Sequence, residues 1–412
     1  MQKRVCVLGA GSVGISTALH LLLKGWDVTL IDAKEPASET SYGNAGVITN
    51  SSIVPMNNPD MFKALPSYMS NLHPAVRYNK SYCLRNISWV AKYLNQGREE
   101  YATQNAADLN ELLSLAEDEH KHFMKLANNE SRYSETGWLK VYREDHSDLA
   151  LRFDRRTLAL HGIDATELSI NEIRELEPGL RPIFVGGFWI KGNGSVNNPA
   201  ALLREYANYF VSAGGRFHQQ KIQAITPTET GYQIQCDDEA IPADSVVVAM
   251  GPWSREILEP LGYKIPLAFE RGYHLNFQMS EGTQLSRSVY DVDGAYVMTP
   301  MENGLRVTCG VELNQRDADD NLAQLELAEK RVVEAIALDG KTEAELWRGA
   351  RPSLPDSKPI IGPAPKHENL WFAFGHGHLG LNSGPITGKL IAQAMSGETP
   401  DVDLQRFSAN RF

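Results

Sequence analysis

A chain of 412 residues exceeds what one hydrophobic core usually organises, so two domains are expected. Apolar residues at 42% and charged residues at 22% suit an ordinary globular protein with a sizeable core. The net charge of −11 argues against a nucleic-acid partner, because holding phosphates takes clustered Lys and Arg. The four cysteines, Cys6, Cys83, Cys236 and Cys309, form no CxxC pair, so they read as reduced thiols and no metal site is expected. A strand-like run from Lys3 leaves no room for a signal peptide, and no apolar run reaches the roughly 18 residues of a membrane span. The expected location is the cytoplasm, with peripheral contact at the inner face of a membrane left open.

In chain order, Arg4 to Leu8 (RVCVL) reads as a buried strand, Val13 to Lys24 as a helix stopped by Gly25, and Asp27 to Asp32 (DVTLID) as a second strand. Residues 58 to 190 turn to amphipathic helical stretches such as Ala107 to Leu126. Asn198 as N-cap and Pro199 in the first turn open a helix that runs to about Ala213 and stops at Gly214 and Gly215. Ser245 to Ala249 (SVVVA) is another buried strand. Alternating segments between 263 and 312, YHLNF and LRVTCGVEL among them, read as antiparallel strands. A helix over 321–338 follows, then Gly/Pro-rich loops and a last helix over Ile386 to Met395.

The first strand leads into Gly9-Ala10-Gly11-Ser12-Val13-Gly14, which opens the first helix. Gly9 makes the tight turn, Gly11 lets backbone approach a pyrophosphate, and Gly14 permits close helix–strand packing. The helix N-terminus offers free N–H groups and partial positive charge to the diphosphate. Asp32 ends the second strand, 18 residues after Gly14, where a carboxylate can accept from a ribose hydroxyl. This fingerprint indicates a dinucleotide and does not separate FAD from NAD. Far downstream, Phe374 to Gly388 (FGHGHLGLNSGPITG) is a second glycine-rich loop leading into a helix. Two such loops suit one extended ligand held at both ends.

These segments, with the TSYGNAG loop, GSVNNPAALL, VVVAMGPWS and the RP…PDSKPIIG stretch, together resemble the D-amino-acid oxidase superfamily of flavoenzymes. The resemblance spans essentially the whole chain and looks closest to the bacterial D-amino-acid dehydrogenases and hydroxyproline-type oxidoreductases. It implies an α/β fold, α+β overall. A Rossmann-like FAD domain would come from residues 1–57, 190–262 and 345–412. A substrate domain with a mostly antiparallel sheet and helices would come from 58–189 and 263–344. It further implies cofactor contacts at Ala33, Thr40, Ser41, Asn44, Ala45, Gly46, Val47, Ile222, Gly251 and Trp253, and at Gly375, His376, Gly377, His378, Leu379 and Gly380. The final helix would aim its N-terminus at the flavin N1/C2 edge. Some members attach FAD through a cysteine near the RP…PD stretch; none lies there, so FAD is expected to be non-covalent. The last loop carries His378 where those dehydrogenases have a threonine.

The implied reaction is oxidation of a D-amino acid or cyclic imino acid by hydride loss from the carbon bearing nitrogen, giving an imine and then a 2-oxo acid. Electrons would pass to a quinone, a carrier or oxygen. A sarcosine/glycine-type or a D-proline/hydroxy-D-proline oxidase or dehydrogenase stays as the alternative. An NAD(P)-dependent dehydrogenase and a non-catalytic flavin-binding subunit stay as different classes. Arg351 is the sharpest candidate for the substrate carboxylate, because a guanidinium clamps it bidentately; Arg348 competes with it. His378 stands where some relatives carry a second substrate-binding arginine. Tyr296 and Tyr273 are candidates for a hydroxyl over the carboxylate. No hydrolytic triad stands out, consistent with a reaction that needs orientation more than acid–base groups.

Overall fold

The computed structural model describes residues 3–144, 152–342 and 346–412. Strand Arg4–Leu8 pairs in parallel with Asp27–Asp32 on one side and Ser245–Val248 on the other. Arg216–Gln219 and Leu370–Phe374 extend the sheet in parallel, and Ile360–Pro363 closes one edge antiparallel. The central strands are buried along nearly their whole length, which explains their unbroken apolar sequence: helices cover one face of the parallel sheet, and a three-stranded antiparallel sheet of Ile222–Thr228, Gly231–Cys236 and Ala240–Ala243 packs on the other. Helix Ser12–Leu23 ends one residue before the expected stop, and Gly25 takes the left-handed conformation. Asn198 caps helix Pro199–Ser212 through Ala201 N–H, 3.0 Å away.

Two helices differ from their sequence expectation. The stretch 107–126 is two helices, Glu99–Leu113 and Ala116–Ala127. The second carries Glu117, Asp118 and Glu119 in its first turn, where the helix dipole favours acid. The last helix spans Gly380–Met395 and so starts six residues before Ile386, with Pro385 inside it. A proline there leaves the Leu381 carbonyl without its helical donor. His120 Nε2 supplies the bond from 2.8 Å. Burial pushes the His120 pKa down to about 4, so its ring is neutral, and the contact assigns the proton to Nε2.

Helices Ser12–Leu23 and Gly380–Met395 cross where Ser12 and Ser16 meet Gly384 and Gly388. A Cβ on Gly388 would stand 2.6 Å from Ser16 backbone atoms, so only glycine allows this approach. The crossing brings the N-termini of both helices to one side of the parallel sheet.

The second large sheet runs Leu338–Lys341, Ala268–Met279, Gly304–Leu313, Tyr296–Met301, Ser288–Asp291, Trp138–Tyr142, Gly186–Ile190 and Ala165–Ser169. Trp347–Ser353 also pairs with Ala268–Met279, so this strand from the 345–412 segment belongs to the large sheet. Alternation sorts the side chains. Tyr273, Leu275, Tyr296, Met298 and Val307 enter a core shared with Ala328 and Val332 of helix Ala323–Ala335. Glu270, His274, Asn276, Arg306, Trp347 and Arg351 occupy the opposite face. That face receives the 42–44 segment: Arg306 Nη1 donates to the carbonyls of Tyr42 and Asn44, both at 3.0 Å. Among the described residues no helix is long and apolar enough to cross a membrane.

Candidate active site

One cleft of about 500 Å³ is lined by both glycine loops. From the first come Gly9, Ala10, Gly11, Ser12 and Val13; from the second come His376, Gly377 and Gly380. Asp32, Ala33, Thr40, Ser41, Ile222, Gly251 and Trp253 complete the sequence-derived set on its wall. Gly9 has φ +101°, and a Cβ there would lie 2.6 Å from the Ala249 carbonyl oxygen. A Cβ on Gly14 would come within 1.7 Å of the Gly9 oxygen, so Gly14 serves packing and lies behind the cleft. A Cβ on Gly11 would meet only Ser41 Oγ at 3.4 Å and otherwise points into open space. Gly251 likewise has no protein atom within 4 Å of its Cβ position. These are cradles that a side chain would fill, and a long dinucleotide fits them.

Asp32 Oδ2 accepts from Ala10 N–H at 2.6 Å, and Oδ1 accepts from Lys34 N–H at 2.9 Å. Burial raises its pKa, and those backbone donors oppose the rise. Its position suits a ribose hydroxyl. Asp32→Ala is expected to weaken FAD binding by roughly 1.5–3 kcal/mol, about 10- to 150-fold in Kd, measured by titrating the apoprotein. An unchanged Kd would remove Asp32 from the cofactor site.

Asn44, Ala45, Gly46, Val47, Gly375, His378 and Leu379 stand off this cleft. Asn44 Oδ1 accepts from Gly46 N–H, and Val47 pairs with Ser195. Leu379 is buried beside Trp138 and Ile53 in a separate apolar cluster. The cleft also takes residues that motif reading passed over, among them Lys34, Lys221, Met250 and Pro352. Each is a near chain neighbour of a motif, which is the signal that could have found them. His376 is buried, bonds Thr387 Oγ1 at 3.0 Å and is neutral, with burial pushing its pKa to about 3.

Arg351 lies on the face of the large sheet that receives the 42–44 segment. Its guanidinium covers Gly272, where a Cβ would stand 2.3 Å from Nη2, and Nη1 donates to the Gly310 carbonyl at 2.8 Å. Gly310 has φ +87° opposite the register shift between Arg271 and Tyr273. No carboxylate among the described residues pairs with Arg351. Glu270 faces it across the strand pair, and burial pushes the Glu270 carboxyl toward its neutral form. Arg348, by contrast, donates to Asp320 at 2.8 Å and to the Ala318 carbonyl at 2.7 Å. His378 has accessible surface, yet burial, aided by the Arg351 charge, lowers its pKa to about 4. Its ring is therefore neutral, on a side chain that keeps contact with solvent.

Tyr273 and Tyr296 require correction: the structure does not bring them to Arg351. The Tyr273 hydroxyl donates to Glu312 at 2.8 Å and accepts from Arg271 and Asn321. The Tyr296 hydroxyl accepts from Arg143 at 3.1 Å. Both side chains lie on the core face, because alternation puts Tyr273 there with Leu275 and Phe277 in its strand, and Tyr296 there with Met298 in its own. Among the tyrosines on the Arg351 face is Tyr290, opposite Val297 and stacked on Trp138 at 6.4 Å. His274 and Trp347 share that face, stacked at 4.8 Å, and Trp347 is readable from Arg351 by its even spacing. Tyr296→Phe should cost about 1 kcal/mol of stability through the lost hydrogen bond and leave KM for substrate unchanged. A KM raised tenfold at wild-type Tm would return Tyr296 to the substrate.

The comparisons with known proteins follow the same lines. Residues 4–394 match the DAO family, described as FAD-dependent oxidoreductases. The chain belongs to this family. A D-amino-acid oxidase from Bradyrhizobium diazoefficiens is 31% identical, covering 100% of this chain and 99% of that one. A D-amino acid dehydrogenase from Vibrio cholerae is 27% identical over 98% of this chain and 99% of its own. Glycine oxidase from Geobacillus kaustophilus shares the fold at a TM-score of 0.77, with 18% identity and full coverage of both chains. As a DAO-family oxidoreductase the protein takes FAD, which the shared cleft accommodates.

Proposed function

We propose that the protein oxidises D-amino acids or cyclic imino acids, in the cytoplasm or at a membrane surface, with Arg351 clamping the carboxylate. The supporting observation is a half-buried guanidinium that forms no ion pair among the described residues, with burial lowering its pKa and the neighbouring Glu270 opposing the shift. Such a cation favours an incoming anion, and its planar fork suits a carboxylate. When bound, FAD supplies the two-electron acceptor for the hydride that leaves the carbon bearing nitrogen. His378 adds no charge, so it offers a neutral hydrogen-bonding edge beside the clamp. The apolar rings of Trp347 and Trp138 on the same sheet face would exclude water. The product imine would hydrolyse to a 2-oxo acid and ammonia, and the electrons would pass on to a quinone, a carrier or oxygen. Residues 1–57, 190–262 and 345–412 would serve the cofactor, except that strand Trp347–Ser353 carries Arg351 into the substrate sheet, and 58–189 and 263–344 would serve the substrate.

The test is anaerobic bleaching of the yellow protein by a panel of D-, L- and N-methyl amino acids and prolines. Fast bleaching by D-amino acids supports the reading; bleaching by N-methyl glycine alone would replace it with the sarcosine-type reaction. Denaturing the protein should also release its flavin into the supernatant, because no cysteine sits near the RP…PD stretch. Colour retained in the precipitate would show a covalent link.

A further inference from the structure

Exposed large apolar side chains are concentrated in one short part of the chain. Met56, Phe62, Met69, Leu72, Leu84 and Ile87 are all exposed, with Met69, Leu72 and Leu84 each above 70%. They belong to a layer made of helix Pro59–Met69, strand Val76–Tyr78 and helices Lys80–Arg85 and Ile87–Gln96. Helix Pro59–Met69 buries none of its residues completely. The layer is one unit: the Asn71 side chain bonds both backbone groups of Tyr78, the Tyr78 hydroxyl reaches the Met69 carbonyl, and Met61 and Phe62 border Gly97. The strand pairs with Gly304–Leu313, which fixes the layer to the large sheet.

Its charge is opposite to that of the rest of the molecule. Between residues 51 and 98 stand six Lys and Arg and one acid, Asp60, a balance of +5 in a chain of −11. Lys80, Arg85, Lys92 and Arg98 are exposed, and none pairs with a carboxylate among the described residues. Exposed apolar residues interleaved with cations on a surface of otherwise acidic character match an anionic lipid headgroup region lying over acyl chains. A protein partner would need matching carboxylates and a packed complement, whereas a bilayer needs only this combination.

We propose that the 56–98 layer docks the protein peripherally on an anionic phospholipid surface. Lys80 and Arg85 contact headgroups, and Leu72 and Leu84 enter the interface.

The experiment is co-sedimentation of the FAD-loaded protein with vesicles of phosphatidylcholine alone or with one quarter phosphatidylglycerol. Binding is expected to the anionic vesicles only, and to be lost at about 1 M salt, where the Debye length is about 3 Å. Lys80→Gln with Arg85→Gln should weaken binding roughly fivefold per charge, about 25-fold together. Leu72→Ser with Leu84→Ser, which keeps the charge, should weaken it further. Flavin content and turnover with a soluble dye serve as integrity controls, since all four side chains are exposed. Equal sedimentation with both vesicle types, or unchanged binding by both double variants, overturns the proposal. So does light scattering that shows a dimer broken by Leu72→Ser with Leu84→Ser while vesicle binding is absent, because the layer would then join two copies of the chain.

Discussion

Arg351→Met is expected to lower kcat/KM for amino-acid substrates by about 30- to several-thousand-fold. The mutation would leave a buried carboxylate without its partner, at a cost of roughly 2–5 kcal/mol, and each ~1.4 kcal/mol is tenfold. Arg351→Lys should restore only part, because an ammonium cannot reproduce the planar fork. Flavin content should stay at the wild-type level, because Arg351 is not among the residues lining the cofactor cleft. An amine lacking a carboxylate supplies the control: it should react poorly with wild type and lose little more in the variant. If both substrates lose equally, Arg351 serves the Gly310 bulge alone, and His378 becomes the leading ligand.

Gly11→Val and Gly14→Ala should separate cofactor binding from folding. The Gly11 backbone, with φ −78°, accommodates any L residue, and its Cβ meets nothing closer than Ser41 Oγ at 3.4 Å. The valine would fill cleft space that a pyrophosphate needs. Losing two charge-assisted hydrogen bonds at roughly 1.5–3 kcal/mol each gives about a hundred- to ten-thousand-fold weaker binding. Gly11→Val should therefore purify colourless, with the Tm of wild-type apoprotein. Gly14→Ala places a methyl on the Gly9 carbonyl, and neither backbone can yield without opening the helix–strand contact. Its apoprotein Tm should fall by several degrees. The measurement is absorbance for flavin content and calorimetry for Tm. A yellow Gly11→Val protein would move the pyrophosphate away from Gly11.

The parts of this architecture legible in the sequence are those whose constraints are local. Gly9, Gly11 and Gly14 each answer to a backbone contact within the strand–turn–helix unit, and Asp32 ends the next strand. Arg351 was singled out for its distinctive guanidinium chemistry, and it lies on the sheet face that receives the 42–44 segment without an ion pair among the described residues. The tyrosines were not. Which face of a strand becomes core depends on helix Ala323–Ala335 packing there, and the register shift opposite Gly310 depends on two strands together. Neither is encoded near Tyr273 or Tyr296. The start of the last helix was hidden for a similar reason. Pro385 reads as a helix boundary, and the residue that makes it tolerable, His120, lies 261 positions upstream of the carbonyl it satisfies.

The crossing of Ser12 and Ser16 with Gly384 and Gly388 has a consequence for biosynthesis. One wall of the cofactor cleft leaves the ribosome about 365 residues before the other. At 5–20 residues per second that is a wait of roughly 20–70 s. During it, the first glycine turn has no opposing wall, and helix Ser12–Leu23 has no partner for its serine face. The nascent chain therefore cannot load its cofactor until the second wall has emerged. Flavin capture waits for that second wall, and cells short of riboflavin would accumulate a colourless chain.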